Sequence, residues 1–194
     1  MVVPTMLNRI LDVIDADGQG LPSLRALSYG GGPMPVQVIE RAMSLLPEVG
    51  FVNAYGLTET SSTIAVLGPD DHRAAFASTE PDARRRLGSV GQPLPSVEVT
   101  IRDLDGNEVP AGEPGEIWVR GEQVSGEYVG RETRDDDGWF ATRDGGHVDD
   151  AERQLEVGEE RLLQLQQPRV LGLGVLERDE GEHLDLVELV HAED

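Results

Sequence analysis

Residues 53–60 (Asn-Ala-Tyr-Gly-Leu-Thr-Glu-Thr) place an aromatic ring, a glycine, a hydroxyl and a carboxylate at the end of an apolar run. The ring of Tyr55 can stack on a purine, and Gly56 lets a phosphate approach the backbone closely. The hydroxyl of Thr58 can donate to a phosphate oxygen, and Glu59 can hold Mg²⁺ directly or through water. These residues predict a site for a nucleotide and its metal. The alternative is a polar turn in which Tyr55 is half-buried packing.

The residues before this segment predict its place in a fold. Residues 47–52 read as a turn and a short buried strand, so residues 53–60 are expected to leave a sheet at the carboxyl end of a strand. Open α/β sheets bind ligands at that end. Upstream, a second strand-like run ends in Gly30, Gly31 and Gly32, and Pro33 then opens a helix-like segment. Glycine-rich turns from strand to helix suit close ligand approach.

Together, these two segments resemble the adenylate-forming superfamily, which contains acyl-CoA synthetases, luciferases and the adenylation domains of peptide synthetases. Three further segments extend the resemblance: residues 3–8, residues 88–93 with 115–121, and residues 137–144. The resemblance covers about residues 1–150 and is nearest to bacterial fatty-acyl or aryl-acid CoA ligases. It implies that the chain corresponds to the C-terminal part of the family's large domain.

The resemblance also implies a role for each matching residue. Tyr55 would stack on adenine, Thr58 would touch the α-phosphate, and Glu59 would coordinate Mg²⁺. Asp144 would hydrogen-bond the ribose hydroxyls, although taken alone it is more typical of a solvated turn carboxylate. The implied catalytic residues are Thr58 and Glu59, and the implied cofactor-binding residues are Gly30, Gly31, Gly32, Pro33, Asn53, Tyr55, Gly56, Thr58 and Asp144. The implied cofactors are ATP or AMP, Mg²⁺ and CoA.

One departure from the family pattern lies beside the ribose-binding position. Family sequences usually have Thr-Gly-Asp, whereas this chain has Thr142, Arg143 and Asp144. Glycine adopts positive φ at little cost and arginine generally does not. We therefore expect ribose binding to be perturbed.

A second departure is that all sixteen basic residues are arginines. Family enzymes use a lysine of a small C-terminal domain to stabilise charge at the α-phosphate, and arginine is not an equivalent point charge. The family's phosphate loop ending in Pro-Lys-Gly has no counterpart in this sequence either. We expect a fragment of an AMP-forming carboxylic acid–CoA ligase that is inactive alone. The alternatives are a nucleotide-binding remnant and an acidic interaction module without catalysis.

The apolar periodicity predicts an α/β fold with a partial parallel βαβ layer. Helical spacing occurs at residues 6–14 and 38–46, and strand-like runs occur at residues 24–29 and from Phe51. Strand, helix and strand in that order predict a parallel pair with a right-handed crossover. From residue 88 to 128 the period is that of strands, with a turn at residues 105–107. By resemblance, this β-rich subdomain is the distorted barrel of the family.

We therefore divide the chain into an α/β part (residues 1–86), a β-rich subdomain (87–150) and a divergent acidic segment (151–194). Residues 150–194 carry thirteen acidic groups against four arginines. The segment has a helix-like stretch at residues 159–167 and a hairpin-like pattern at 170–176 and 184–190, with a frayed acidic tail as the alternative. The loss of the family pattern also fits a truncated gene or a change of reading frame.

Composition excludes several functional classes. The net charge of −21 disfavours binding to nucleic acid. The chain has no cysteine, and its four histidines lack the spacing of a metal site. We find no apolar run long enough for a membrane span and no export signal, so we expect a cytoplasmic protein. The expected small-molecule partners are a nucleotide and a carboxylic acid. We also expect a complementary chain, or self-association, to cover apolar surface that would otherwise be exposed.

Overall fold

The computed structural model describes residues 1–18, 20–125, 127–128, 131–132, 134–149 and 154–158. The helices are α1 (Pro4–Asp17), α2 (Val36–Leu45), α3 (Pro69–Ala77) and α4 (Pro81–Arg85). The strands are β1 (Ala26–Gly30), β2 (Gly50–Leu57), β3 (Ser62–Leu67), β4 (Gln92–Pro93), β5 (Val97–Arg102), β6 (Gly115–Gly121), β7 (Glu127–Tyr128), β8 (Arg131–Glu132), β9 (Phe140–Val148) and β10 (Leu155–Val157). Two 3₁₀ turns span Thr58–Thr60 and Arg86–Gly88.

The first sheet has the strand order β1-β2-β3-β4 and is mixed. β1 and β2 are parallel, with Ala26 opposite Gly50 and Gly30 opposite Ala54, and α2 connects them. This arrangement confirms the predicted parallel βαβ layer. The prediction for residues 53–60 was wrong in one respect, because β2 continues through Leu57 and only Thr58 begins the turn. The antiparallel pairing with β3 keeps the backbone extended that far.

Helix α1 has clear start and stop signals and one buried face. Pro4 lies at its first turn, where a missing N–H costs nothing, and Gly18 ends it in the left-handed conformation with its N–H bonded to the Ile14 carbonyl (3.0 Å). Leu7, Leu11 and Ile14 are buried at the spacing expected of a helix. Each such side chain stabilises the fold by about 1.5–3 kcal/mol.

The second sheet is antiparallel, has the order β10-β9-β6-β5 and curls into a half-barrel. Its core includes Ile101, Ile117 and Val119, and along β6 the buried residues Ile117 and Val119 alternate with more exposed ones. The predicted β-rich, distorted barrel subdomain is thereby confirmed. The predicted turn at residues 105–107 lies between β5 and β6, where Gly106 N–H bonds to the Asp103 carbonyl (3.1 Å).

Part of the segment that matched no family pattern belongs to this sheet. Strand β10 pairs with β9, and Leu155 is fully buried. The predicted helix-like stretch at residues 159–167 and the hairpin pattern at 170–176 and 184–190 lie outside the described residues. Among the described residues, no helix has the length and hydrophobicity needed to cross a bilayer.

Candidate functional site

A cavity of about 570 Å³ opens at the carboxyl ends of β1 and β2. This volume is within the range of small-molecule sites. All the residues predicted as site residues line it: Gly30, Gly31, Gly32, Pro33, Asn53, Tyr55, Gly56, Thr58, Glu59 and Asp144. The fold thus brings together a turn, a strand end and a residue from the second sheet that are far apart in sequence.

Tyr55 and Asp144 are in direct contact across the two sheets. The hydroxyl of Tyr55 donates a hydrogen bond to Asp144 Oδ2 (2.5 Å). Burial raises the pKa of Tyr55 well above its ordinary value, and the hydrogen bond and charge of Asp144 raise the pKa further. The phenol is therefore a neutral donor at physiological pH, and it holds one oxygen of the carboxylate in place.

A bulge in β9 directs Asp144 toward the cavity. The pairing of β6 with β9 shifts register between Glu116 and Trp118. Thr142 Oγ1 donates to the Ile117 carbonyl (2.8 Å) and accepts from Asp144 N–H (3.1 Å). Arg143 adopts φ +65°, a left-handed conformation that arginine rarely takes. The unfavourable positive φ expected of a non-glycine residue at position 143 is thus present as backbone strain. Asp144 nevertheless accepts the hydrogen bond from Tyr55.

Two glycines of the site are required by close backbone approach. A Cβ at Gly30 would overlap the Ala54 carbonyl oxygen of the neighbouring parallel strand. A Cβ at Gly56 would overlap the Ser62 carbonyl oxygen, where the pairing of β2 with β3 shifts register. The sequence analysis predicts a role in phosphate approach for Gly56 but does not include this second requirement, because it predicts no strand at residues 62–67.

The 3₁₀ turn that presents Thr58 and Glu59 is held from several sides. The hydroxyl of Thr60 accepts from Leu57 N–H (2.9 Å) and donates to the Ser62 carbonyl (2.8 Å). The carbonyl of Glu59 accepts from Ser125 N–H (2.6 Å). With its backbone fixed in this way, Glu59 presents its side chain at the cavity wall.

The chain matches the family model described as AMP-binding enzyme over residues 1–129. The chain belongs to the AMP-binding enzyme family. It is 38% identical over 153 residues to a 2-succinylbenzoate–CoA ligase of Bacillus licheniformis, covering 77% of this chain and 28% of that protein. It is 37% identical over 153 residues to a long-chain-fatty-acid–CoA ligase of Yersinia pestis, covering 76% of this chain and 25% of that protein.

Solved structures of adenylate-forming enzymes share the fold of this AMP-binding family member over the part of them that the chain covers. The amide bond synthetase McbA from Marinactinospora thermotolerans superposes with a TM-score of 0.68 at 32% identity, covering 81% of this chain and 30% of that one. The O-succinylbenzoate coenzyme A synthetase from Bacillus subtilis, in complex with ATP and magnesium ion, superposes with a TM-score of 0.63 at 33% identity. The match covers 80% of this chain and 30% of that one. The chain therefore spans less than a third of the length of these relatives.

Several cavity residues of this AMP-binding protein had no predicted role. Met34, Ala54, Leu57, Gly88, Val90 and Val157 also line the cavity. Gly88 and Val90 lie in residues 88–93, a segment that resembles the family, and this resemblance could have identified them as cavity residues. Val157 lies in β10, which carried no signal because its residues matched nothing in the family pattern.

A larger cleft, of about 810 Å³, lies at the opposite, amino-terminal ends of β1 and β2. Its charged lining residues are Arg25 and Glu48. The guanidinium of Arg25 donates to the carbonyl of Pro22 (2.6 Å), which belongs to the same loop. The cleft lacks the combination of carboxylate, hydroxyl and aromatic groups found at the carboxyl ends, so the smaller cavity is the candidate site despite its size.

Proposed function

We propose that this chain forms the adenosine-binding part of an AMP-forming carboxylic acid–CoA ligase. The observation that carries the proposal is the Tyr55–Asp144 hydrogen bond on the wall of a cavity that also contains the glycine turn. An aromatic ring and a carboxylate held side by side suit a nucleoside, because the ring offers a stacking surface and the carboxylate accepts from sugar hydroxyls.

Three groups would then divide the recognition of adenosine. The ring of Tyr55 would stack on the base, and the oxygen of Asp144 that Tyr55 does not engage would accept from the ribose hydroxyls. The side-chain amide of Asn53 donates to the Ser89 carbonyl (2.9 Å). Its oxygen is therefore available to accept from the 6-amino group of adenine.

Glu59 fits Mg²⁺ as part of a nucleotide complex. The described residues contain no cluster of three or more His, Cys, Asp or Glu side chains able to hold an ion by themselves. Mg²⁺ usually keeps several waters and is bound through one or two carboxylates together with substrate phosphates. Asp144 also lines the cavity but is engaged by Tyr55, so Glu59 is the carboxylate that suits this mode and would hold the metal when ATP brings its phosphates.

The reaction of such a ligase has two steps. The carboxylate of the acid attacks the α-phosphate of ATP to give an acyl-adenylate and pyrophosphate, and the thiol of CoA then displaces AMP to give the thioester. Thr58 and Glu59 would contact the phosphates and the metal in the first step. The chain has no lysine to stabilise the charge that develops there. We propose that this part of the protein binds the nucleotide and that formation of the acyl-adenylate also needs groups that the present sequence does not contain.

Calorimetric titration with AMP and with Mg-ATP tests this function. We expect binding by the unaltered chain and a loss of about tenfold or more in affinity for Tyr55→Ala and for Asp144→Ala, since each removes a main contact with adenosine. Asp105→Ala, in an exposed turn away from the cavity, is the matched control and should bind as the unaltered chain does. Equal affinities in all four proteins, or no binding at millimolar nucleotide, would refute the proposal.

A further inference from the structure

A series of buried hydrogen bonds connects the start of β10 to the wall of the cavity. Ser89 Oγ donates to Gln154 Oε1 (2.9 Å), and Asn53 Nδ2 donates to the Ser89 carbonyl (2.9 Å). Ser89 is fully buried and Gln154 is 1% exposed. We call these three residues the Asn53–Ser89–Gln154 relay. Of the three, Asn53 lines the cavity.

The two residues behind Asn53 are fixed by further contacts. The hydroxyl of Ser89 accepts from Gly91 N–H (3.3 Å) while it donates to Gln154, so its orientation is determined. The backbone N–H of Gln154 donates to Asp149 Oδ1 (2.9 Å), and its carbonyl accepts from Asp149 N–H (2.9 Å). These bonds fix the backbone of Gln154 beside Ser89, so its side chain can turn away only by breaking the buried bond from the Ser89 hydroxyl.

The relay determines which atom of the Asn53 amide a ligand can use. A backbone carbonyl oxygen only accepts, so the amide nitrogen must face Ser89. Oδ1 of Asn53 has no hydrogen-bond partner within the described part of the chain, and its residue lies on the cavity wall. At this point Asn53 therefore presents a hydrogen-bond acceptor to a ligand in the cavity and no donor.

We propose that Gln154 is a positioning residue for base recognition, acting through Ser89 to hold Asn53 with its amide oxygen available to the 6-amino group of adenine. The inference rests on the proposed function, because it assigns a base contact within the same cavity. Hypoxanthine carries an oxygen where adenine carries the amino group. An Asn53 amide fixed in this orientation would place two acceptors against each other and disfavour IMP.

Titration with AMP and IMP tests the role of Gln154. Gln154→Met keeps the length and apolar volume of the side chain and removes the acceptor for Ser89. We expect AMP affinity to fall about fivefold and IMP affinity to change little, so that the preference for AMP shrinks. The control Tyr29→Phe breaks another buried hydrogen bond, to His72 (2.8 Å), and should leave that preference unchanged. An equal loss of both affinities in Gln154→Met would overturn the proposal.

A second measurement needs no nucleotide. The sequence contains three asparagines, Asn8, Asn53 and Asn107, so selective ¹⁵N labelling gives a simple spectrum, and Asn53→Asp assigns the signal. We expect the amide protons of Asn53 to exchange slowly with solvent and to exchange about tenfold faster in Gln154→Met. If that variant does not fold, Ser89→Ala breaks the same bond from the other side.

The two proposals fail in different ways. Unchanged slow exchange of the Asn53 amide in Gln154→Met or Ser89→Ala would overturn the positioning role, whether or not AMP binds. A protein with the expected exchange behaviour that does not bind AMP would instead refute the proposed function while leaving the relay in place.

Discussion

The hydroxyl of Tyr55 donates a 2.5 Å hydrogen bond to Asp144, and this bond joins the end of β2 to the bulge in β9. The two residues are on different sheets, so the bond also links the two halves of the fold at the cavity. Because the phenol is the donor, removing the hydroxyl frees the carboxylate without removing the ring. Stacking and carboxylate positioning can therefore be separated by mutation.

Tyr55→Phe should weaken ribose recognition selectively. We expect AMP affinity to fall about fivefold, because Asp144 loses the bond that orients it, and the affinity for 2′,3′-dideoxy-AMP to stay the same. Calorimetric titration with both ligands measures the difference. Tyr55→Ala is the contrasting variant and should weaken both ligands, since it removes a stacking surface worth about 1–3 kcal/mol. If Tyr55→Phe weakened both ligands equally, the hydroxyl would have no role specific to the ribose.

Arg143→Gly should stabilise the protein. The residue has φ +65°, which glycine adopts freely and which costs other residues about 1 kcal/mol. We expect the free energy of unfolding in urea to rise by about that amount and AMP affinity to rise with it as the strain beside Asp144 is relieved. Arg143→Ala removes the guanidinium but keeps the backbone cost, so it should give no such gain. Equal stabilisation by both variants would assign the effect to the arginine side chain.

The sequence was sufficient to predict the features that depend on local pattern. The parallel pair β1 and β2 follows from apolar runs separated by a helical period, and the cavity-lining positions of Gly30 and Tyr55 follow from their place at the ends of those runs. Asp144 was identified through the surrounding motif. Each of these inferences uses residues near one another in the chain, or a family pattern that already encodes the distant ones.

The remaining features depend on contacts between distant segments, which no local pattern specifies. The Tyr55–Asp144 bond and the burial of Leu155 both result from contacts between segments far apart in sequence. Residues 154–158 lie in the segment that the sequence predicts to be divergent, because its residues match no part of the family pattern. The three residues of β10 nevertheless pair with β9 and form an edge strand of the second sheet.

Gly56→Ala should destabilise the protein, because its Cβ would overlap the Ser62 carbonyl oxygen and neither backbone can move without breaking the β2–β3 pairing. We expect a loss of about 1–3 kcal/mol in the free energy of unfolding, the usual cost of forcing extra volume into a packed site. Gly32→Ala is the matched control, since a Cβ there meets nothing within 4 Å. Wild-type stability of Gly56→Ala in urea would show that the two strands can separate at this point.

The buried pair Tyr29 and His72 should make stability depend on pH. The Gly68 carbonyl can only accept, so it is bonded by Nδ1–H of His72 (2.7 Å), and in the neutral ring Nε2 accepts from the Tyr29 hydroxyl (2.8 Å). Burial lowers the pKa of His72 below its ordinary 6.5, and Arg73 adds to this shift, while the hydrogen bond to the Gly68 carbonyl and the charge of Asp71 oppose it. The unfolded chain therefore binds a proton at a higher pH than the folded protein does.

The contribution of His72 to the free energy of unfolding should be constant above about pH 6.5. It should fall as the pH is lowered from there toward the folded pKa of His72, by about 1.4 kcal/mol for each unit between the folded and unfolded pKa values. Urea denaturation between pH 5 and 7.5 measures this loss. The double variant Tyr29→Phe/His72→Leu removes both polar partners, so its stability should lose this dependence on pH. His72→Leu alone should be less stable than the double variant, because it leaves the Tyr29 hydroxyl buried without an acceptor, at a cost of about 1–3 kcal/mol. A pH profile of the double variant that matched the unaltered protein would show that other groups control the transition.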